Sequence, residues 1–150
     1  MKSISHSKTF EIAQPVSEVF PLFSPEGEKY WVPGWDYENV MGTTDLCEDY
    51  VFLTQIHDHR SAPAIWVVKK YDPEMHFVEY YKIEPGEKIG VVGVHCIKKE
   101  TKRTSIRVTY KYIALSSQAE KFVSEFSEDV YGKFIAEWHT LLTDYFNKRG

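Results

Sequence analysis

The segment RTSIRVTYKYIALSSQAEKFVSEFSEDVYGKFIAEWHTLL, residues 103–142, changes its hydrophobic period part way along. Ile106, Val108, Tyr110 and Tyr112 alternate with Ser105, Arg107, Thr109 and Lys111, the spacing of a strand with one face in the core. From Ser117 the apolar residues fall at steps of three or four instead: Ala119, Phe122, Val123, Phe126, Val130, Phe134, Trp138, Leu141, Leu142 and Tyr145. Ser117 followed by Glu120 has the form of a capping box, so one amphipathic helix of about thirty residues is expected to run almost to the C-terminus. Gly132 interrupts it at a cost of about 1 kcal/mol relative to alanine, which marks a bend or a close approach.

Working back from this segment, strand signals recur at short intervals: YENVMGT, DYVFLTQI, APAIWVVKKY, HFVEYYKIE and EKIGVVGVHCI. The polar connections HDHRS, DPEM, EPGE and KKETK are short enough to make successive antiparallel hairpins, so the segment 35–113 reads as a meander of about six strands. At the start of the chain ISHSKTFEI (4–12) alternates as a strand and gives way to AQPVSEVFPLF, where Pro15 suits an early helical position. Pro21, Pro25 and Gly27 rule out one long helix across residues 16–31 and divide it into two short helices near Ser24, with Ser24 as N-cap and Pro25 as first helical residue. The expected fold class is α+β, a β-α-α-β6-α single domain over residues 1–150. In it a curved antiparallel sheet of seven strands wraps a long C-terminal helix. A helix crossing a twisted, concave sheet cannot fill the space everywhere, and the remainder is a natural ligand cavity.

Composition narrows the function. Ten Tyr, nine Phe and four Trp in 150 residues are many for a small domain and suggest that something concave is lined. A net charge of −4, with basic residues clustered only in KKETKR (98–103), argues against nucleic acid as the main partner. Cys47 and Cys96 have no CxxC or CxxH spacing, and His57 and His59 have no third ligand at a suitable distance, so no metal site is expected. Without an 18-residue apolar run or a signal-peptide core, the expected protein is cytoplasmic, with no stable membrane insertion. No Ser-His-Asp order, GxSxG, P-loop, GxGxxG or HExxH occurs, and nothing calls for a cofactor. Glu79 and Glu84 make no defined carboxylate pair.

FSPEGEKYWVPGW after the first helix, IWVVKKYDPE with VEYYKIEPG beyond it, and VTYKYIALS leading into FVSEFSEDVYGKFIAEWHTLL together resemble the helix-grip superfamily (SRPBCC). That superfamily holds START lipid-transfer domains, the birch pollen allergen and polyketide cyclases. The series is most similar to a bacterial or archaeal subgroup labelled polyketide cyclase-like. The resemblance covers essentially the whole chain through element order. It implies the helix-grip fold, a hydrophobic cavity, and an entrance near the aromatic bend GEKYWVPGWDYE (27–38).

Several residues are candidates to line that cavity. Tyr80 and Tyr110 are interior tyrosines whose hydroxyls need partners, and Val108 shares the Tyr110 face. Trp31 and Trp66 are aromatic walls, with Trp35 a wedge at the bend and Trp138 in the core. Phe122, Phe126 and Val130 come from the helix stripe. Strand 88–97 has two possible orientations: an even hairpin loop turns Val91, Gly93, His95 and Ile97 inward, whereas a bulge turns Val92, Val94 and Cys96 inward. In the first case His95 joins the cavity with Val78 and Tyr80 and is able to donate to a carbonyl or move a proton. Binding of an apolar or aromatic small molecule, by a monomer or homodimer, is the leading expectation. A polyketide cyclase or dehydratase using His95 and a tyrosine, and a co-chaperone-like interaction module, are the alternatives.

Overall fold

Alternation along the long strands decides how the sheet closes on the helices. The computed structural model describes residues 2–55 and 62–149. β1 (Ser3–Ile12) is followed by two short helical pieces, α1 (Val16–Val19) and α2 (Pro25–Glu28), joined by a 3-10 turn over Phe20–Phe23. Then come β2 (Glu38–Asn39), β3 (Val51–Thr54), β4 (Ala64–Asp72), β5 (Phe77–Glu84), β6 (Lys88–Glu100) and β7 (Arg103–Ala114). The chain ends in α3 (Ser117–Glu125) and α4 (Glu128–Arg149). All seven strands form one antiparallel, curved sheet in the order β1-β7-β6-β5-β4-β3-β2. The last strand in sequence pairs with the first, and the helices cover the concave face.

Register is set by one extra residue. β6 and β7 pair in step from Lys88↔Ala114 to Lys98↔Thr104, then shift by one before Glu100↔Arg103. This bulge selects the second orientation of β6: Val92, Val94 and Cys96 are buried, and Ile97 is exposed. His95 pairs with Arg107 and Phe77 on the convex face, so its expected place in the cavity is corrected. Val78 and Tyr80 do lie inside, opposite Val94 and Val92.

The C-terminal helix is likewise not continuous. Phe126 has φ −82° and ψ 71°, which ends α3, and the Ser127 hydroxyl accepts from the Val130 amide at 3.1 Å to cap α4. α3 itself is capped by Ser116, which accepts from the Ala119 amide at 3.1 Å, one residue before the Ser117 expected from the capping-box pattern. The break advances the apolar stripe by one position. Beyond it Tyr131, Ile135, Trp138, Leu142 and Phe146 are buried, while Val130 is 47% exposed and Phe134 37%. Val130 is therefore corrected from cavity wall to helix surface.

Ser24 does cap α2, its hydroxyl accepting from the Gly27 amide at 3.0 Å. Gly27 is required by a close approach: a Cβ there would lie 2.0 Å from the Pro21 carbonyl oxygen and 2.6 Å from the Leu22 Cα, both backbone atoms. At Gly132 a Cβ would meet only the Lys8 Nζ, at 3.3 Å, the end of a flexible side chain. Gly27→Ala should destabilise the protein by about 3 kcal/mol, whereas Gly132→Ala should stabilise it by about 0.5–1 kcal/mol. Urea midpoints of the two variants against the wild type check both signs; a neutral Gly27→Ala would show that the α1–α2 turn is not tightly packed.

Candidate functional site

The antiparallel register brings side chains into rows across the concave face. One row holds Tyr112, Gly90, Lys82, Trp66 and Phe52 on successive strands. The next holds Tyr110, Val92, Tyr80 and Val68. Because Gly90 has no side chain, the Tyr112 ring packs over it in the first row. A Cβ at Gly90 would stand 3.3 Å from Tyr112 Cε1 and 3.6 Å from the Lys82 Cβ.

Against these rows packs the helical insertion. Glu28, the last residue of α2, brings an enclosed carboxyl into range of Lys82, Tyr80 and Tyr110. Burial pushes its pKa up to about 8, against the opposing pull of the Lys82 ammonium. Lys82 is lowered from its ordinary value, first by burial and then by Lys88, with Glu84 and Glu28 opposing. Its Nζ lies 5.4 Å from the Trp66 ring centroid. Among the described residues neither Glu28 nor Lys82 stands in an ion pair, while Glu84 pairs with Lys88 at 3.3 Å. Glu79, on the opposite face, pairs with Lys69 at 3.4 Å.

Glu28, Lys82 and Tyr112 are surrounded closely enough for burial to dominate their ionisation, and yet each keeps some accessible surface. The hydroxyls of Tyr110 and Tyr112 find no hydrogen-bond partner among the described residues. No sealed side-chain nitrogen or oxygen among those residues is unpartnered.

Tyr80 differs, because its hydroxyl donates to the Phe23 carbonyl at 2.7 Å. Trp66 donates its Nε1 to Thr54 Oγ1 at 3.0 Å and stacks on Phe52 with centroids 5.4 Å apart. Trp31 is buried, donates to the Leu22 carbonyl at 2.7 Å and meets Trp138 edge-on. Trp35 donates to the Pro25 carbonyl at 2.9 Å. Outside the bend, residues from Lys29 to Gly34 and the end of α4 enclose an open groove of about 590 Å³. A smaller cleft of about 240 Å³ lies between the 3-10 turn, Leu46 and Tyr71.

Val108 is fully buried, and its carbonyl accepts from the Tyr131 hydroxyl, so it belongs to the packing beneath α4. Phe126 is buried at the helix break, where its carbonyl lies 2.7 Å from His6 Nε2. Phe122 is 37% exposed, edge-on to Tyr112 and beneath the Lys88 ammonium. His95 points away from all of these. His57 and His59 lie outside the described residues; among those described, no group of three or more His, Cys, Asp or Glu is placed to hold a metal ion.

Two central groups, Glu28 and Lys82, are absent from the expected lining. Lys82 was legible, since it is two residues beyond Tyr80 and therefore on the same face. Glu28 was not, because a four-residue helix carries too little periodicity to show which way its side chains point.

No protein-family model matches this sequence, and no curated protein is similar to it in sequence. Solved structures match over nearly the whole chain. Norcoclaurine synthase from Thalictrum flavum, in complex with dopamine and hydroxybenzaldehyde, matches with a TM-score of 0.68, 12% identity and 99% of this chain against 88% of the other. A START superfamily protein from Mycobacterium smegmatis matches with a TM-score of 0.68, 12% identity, and 97% and 99% coverage. The allergen Ara h 8.0201 gives 0.62, 12%, and 94% and 99%. The chain has the helix-grip fold of the Bet v 1/START (SRPBCC) proteins.

Tyr80→Phe should cost about 1–3 kcal/mol by leaving the Phe23 carbonyl without its donor, while Tyr110→Phe should stay within about 0.5 kcal/mol of wild type. Equal losses in urea unfolding would contradict the assignment. Glu28 holds its proton to about pH 8 in the folded chain and to about 4.5 when unfolded. Its contribution is therefore complete below pH 4.5 and is lost as pH rises through about 8. Stability measured across that window should fall less steeply in Glu28→Gln than in wild type.

Proposed function

We propose that the protein binds an apolar or aromatic small molecule in the space between its sheet and its C-terminal helices. The observation that carries this reading is the group of partly enclosed polar residues Glu28, Lys82 and Tyr112, beside the buried Tyr110, on a concave face rich in aromatic side chains. Burying polar groups without partners costs several kcal/mol in an apolar interior, so a face that keeps them is suited to a ligand with a polar end. Trp66, Phe134 and Trp138 supply flat walls for an apolar body. The small aromatic molecules held by the norcoclaurine synthase structure are consistent with such a ligand on this fold. The protein acts as a carrier or store, monomeric or homodimeric, in the cytoplasm. A net charge of −4 argues against nucleic acid as the main partner, and among the described residues no helix is long and apolar enough to cross a membrane.

An acid–base enzyme acting on a polyketide-like metabolite is the second reading. With His95 on the convex face, it rests on Glu28, whose pKa near 8 suits proton transfer around neutrality.

Native mass spectrometry of the protein as purified, with denaturing extraction as a second step, tests the first reading. It should show a bound apolar mass, or an empty protein that gains about 5 °C or more in Tm with 1-dodecanol or naphthalene at a hundred times Kd. An empty protein with no such gain overturns it. Solvent-deuterium exchange into an extracted ligand, lost in Glu28→Gln with stability intact, would establish the second.

A further inference from the structure

We propose that the outer face of the sheet is the contact surface of a homodimer, in which two copies of this chain pack face to face about a two-fold axis running along β5. The inference concerns the side of the sheet opposite the helices and does not depend on what the concave face binds.

In a single chain the outward residues of the strands meet water, and the outer face of an antiparallel sheet is commonly polar for that reason. Half of this sheet does the opposite. One outward row, read across neighbouring strands, is Leu53, Ile65, Ile83, Ile89 and Ile113. The row beside it is Val51, Val67, Tyr81 and Val91, ending in Lys111. Each of these apolar residues is partly exposed, and none belongs to the core cluster or to the side chains packed on it.

The apolar area has sharp borders. Along β7 the outward residues change from Ile113 to Lys111, Thr109, Arg107 and Ser105, and the neighbouring β1 shows only Ser3, Ser5, Ser7, Thr9 and Glu11. A general preference of strands for aliphatic residues would not stop at one edge and one end of the sheet. On the next row Glu79 pairs with Lys69 at 3.4 Å, and the Lys69 ammonium lies 5.1 Å from the Tyr81 ring centroid, so this border carries no net charge. With strands about 4.8 Å apart and rows about 7 Å apart, the two apolar rows and one row on either side project over roughly 650 Å² of five strands. A stable interface takes about 800 Å² of accessible surface from each partner, and side-chain relief brings this face to that size.

Symmetry and charge select a second copy as the occupant. β5 is the central strand of the seven. An axis along it turns the sheet onto its own image, with isoleucine row against isoleucine row and β7 of each copy over the β2–β3 edge of the other. Twisted sheets pack in this way with their strands about 30° apart. The two edges carry opposite charges: Lys111 stands at the β7 end, and Glu38, opposite Leu53 in the register, at the β2 end. Both are exposed, and neither stands in an ion pair among the described residues. The axis brings Lys111 of each copy toward Glu38 of the other, so the match is made twice. A membrane fits less well, because the two rows hold no Trp or Phe and no ring of unpaired cations surrounds them.

Sedimentation of the full chain at about 10 μM, above the Kd expected of an interface of this size, should give twice the single-chain mass of 17.5 kDa. Ile83→Lys, at the centre of the face, enters a symmetric dimer twice and should raise its Kd at least about a hundredfold. Lys111→Glu and Glu38→Lys should each raise Kd about tenfold, and the two together should restore it. That restoration provides the test if Ile83→Lys fails to fold, since a loss of folding would not be reversed by the second charge. A single-chain mass for the wild type at about 100 μM overturns the inference, as does a dimer that none of these variants weakens. A wild-type chain that stays single and floats with phosphatidylcholine vesicles assigns the face to a membrane and equally overturns it.

Discussion

The hydroxyl of Tyr80 donates to the carbonyl of Phe23, and this bond fixes the helical insertion to the sheet. It is one of three of the same kind. Trp31 donates to Leu22 and Trp35 to Pro25, so aromatic donors satisfy carbonyls on both sides of the Ser24 break. Helical pieces of four residues satisfy few of their own carbonyls, and those facing an apolar interior need donors that bring little polarity with them. Indole and phenol meet that need, because each carries one donor on a large apolar body. The aromatic bend at residues 27–38 is therefore chiefly a clamp, and what it clamps is α2. Without it the Glu28 carboxyl would have no fixed position near Lys82.

Much of this was readable from spacing alone. The period-two pattern of β7 identified the inner face correctly, since Ile106, Val108 and Tyr110 are buried there. Ser24, Pro25 and Gly27 announced the break and its cap because each residue type answers a local geometric demand. Orientation of β6 was not readable. It depends on whether one residue near Lys99 is bulged out, and nothing in KKETKR distinguishes a bulged hairpin from a regular one. The placement of His95 failed on that single residue, since a shift of one exchanges the faces of a strand.

The helix break failed for another reason. Gly132 is the residue with poor helix propensity, but it is accommodated within α4, where it costs only fractions of the packing energy around it. The interruption lies at Phe126 and Ser127, and its signal is the capping chemistry of Ser127, with Glu128 and Asp129 next to it at the positive end of the new helix. A stripe drawn straight through the break included Val130 and missed Tyr131. Of the polar residues on the concave face, Lys82 followed from its spacing to Tyr80, whereas Glu28 was the least legible, because a four-residue helix carries too little periodicity to show where its side chains point.

Division of the C-terminal segment into two helices also divides its cooperativity. α4 has 22 residues and five buried side chains along its length, whereas α3 has nine residues and buries only Ala119 and Val123. Nine residues are too few to hold a helix in water by themselves, so α3 depends on contact with β7 and β1 for its order. Its detachment exposes far less apolar surface than that of α4, and the hinge at Phe126 lets one occur without the other. The fold thus contains a small unit whose opening free energy is a fraction of the global one, lying over Tyr112 through Phe122. That unit can open while the main grip of helix on sheet stays closed.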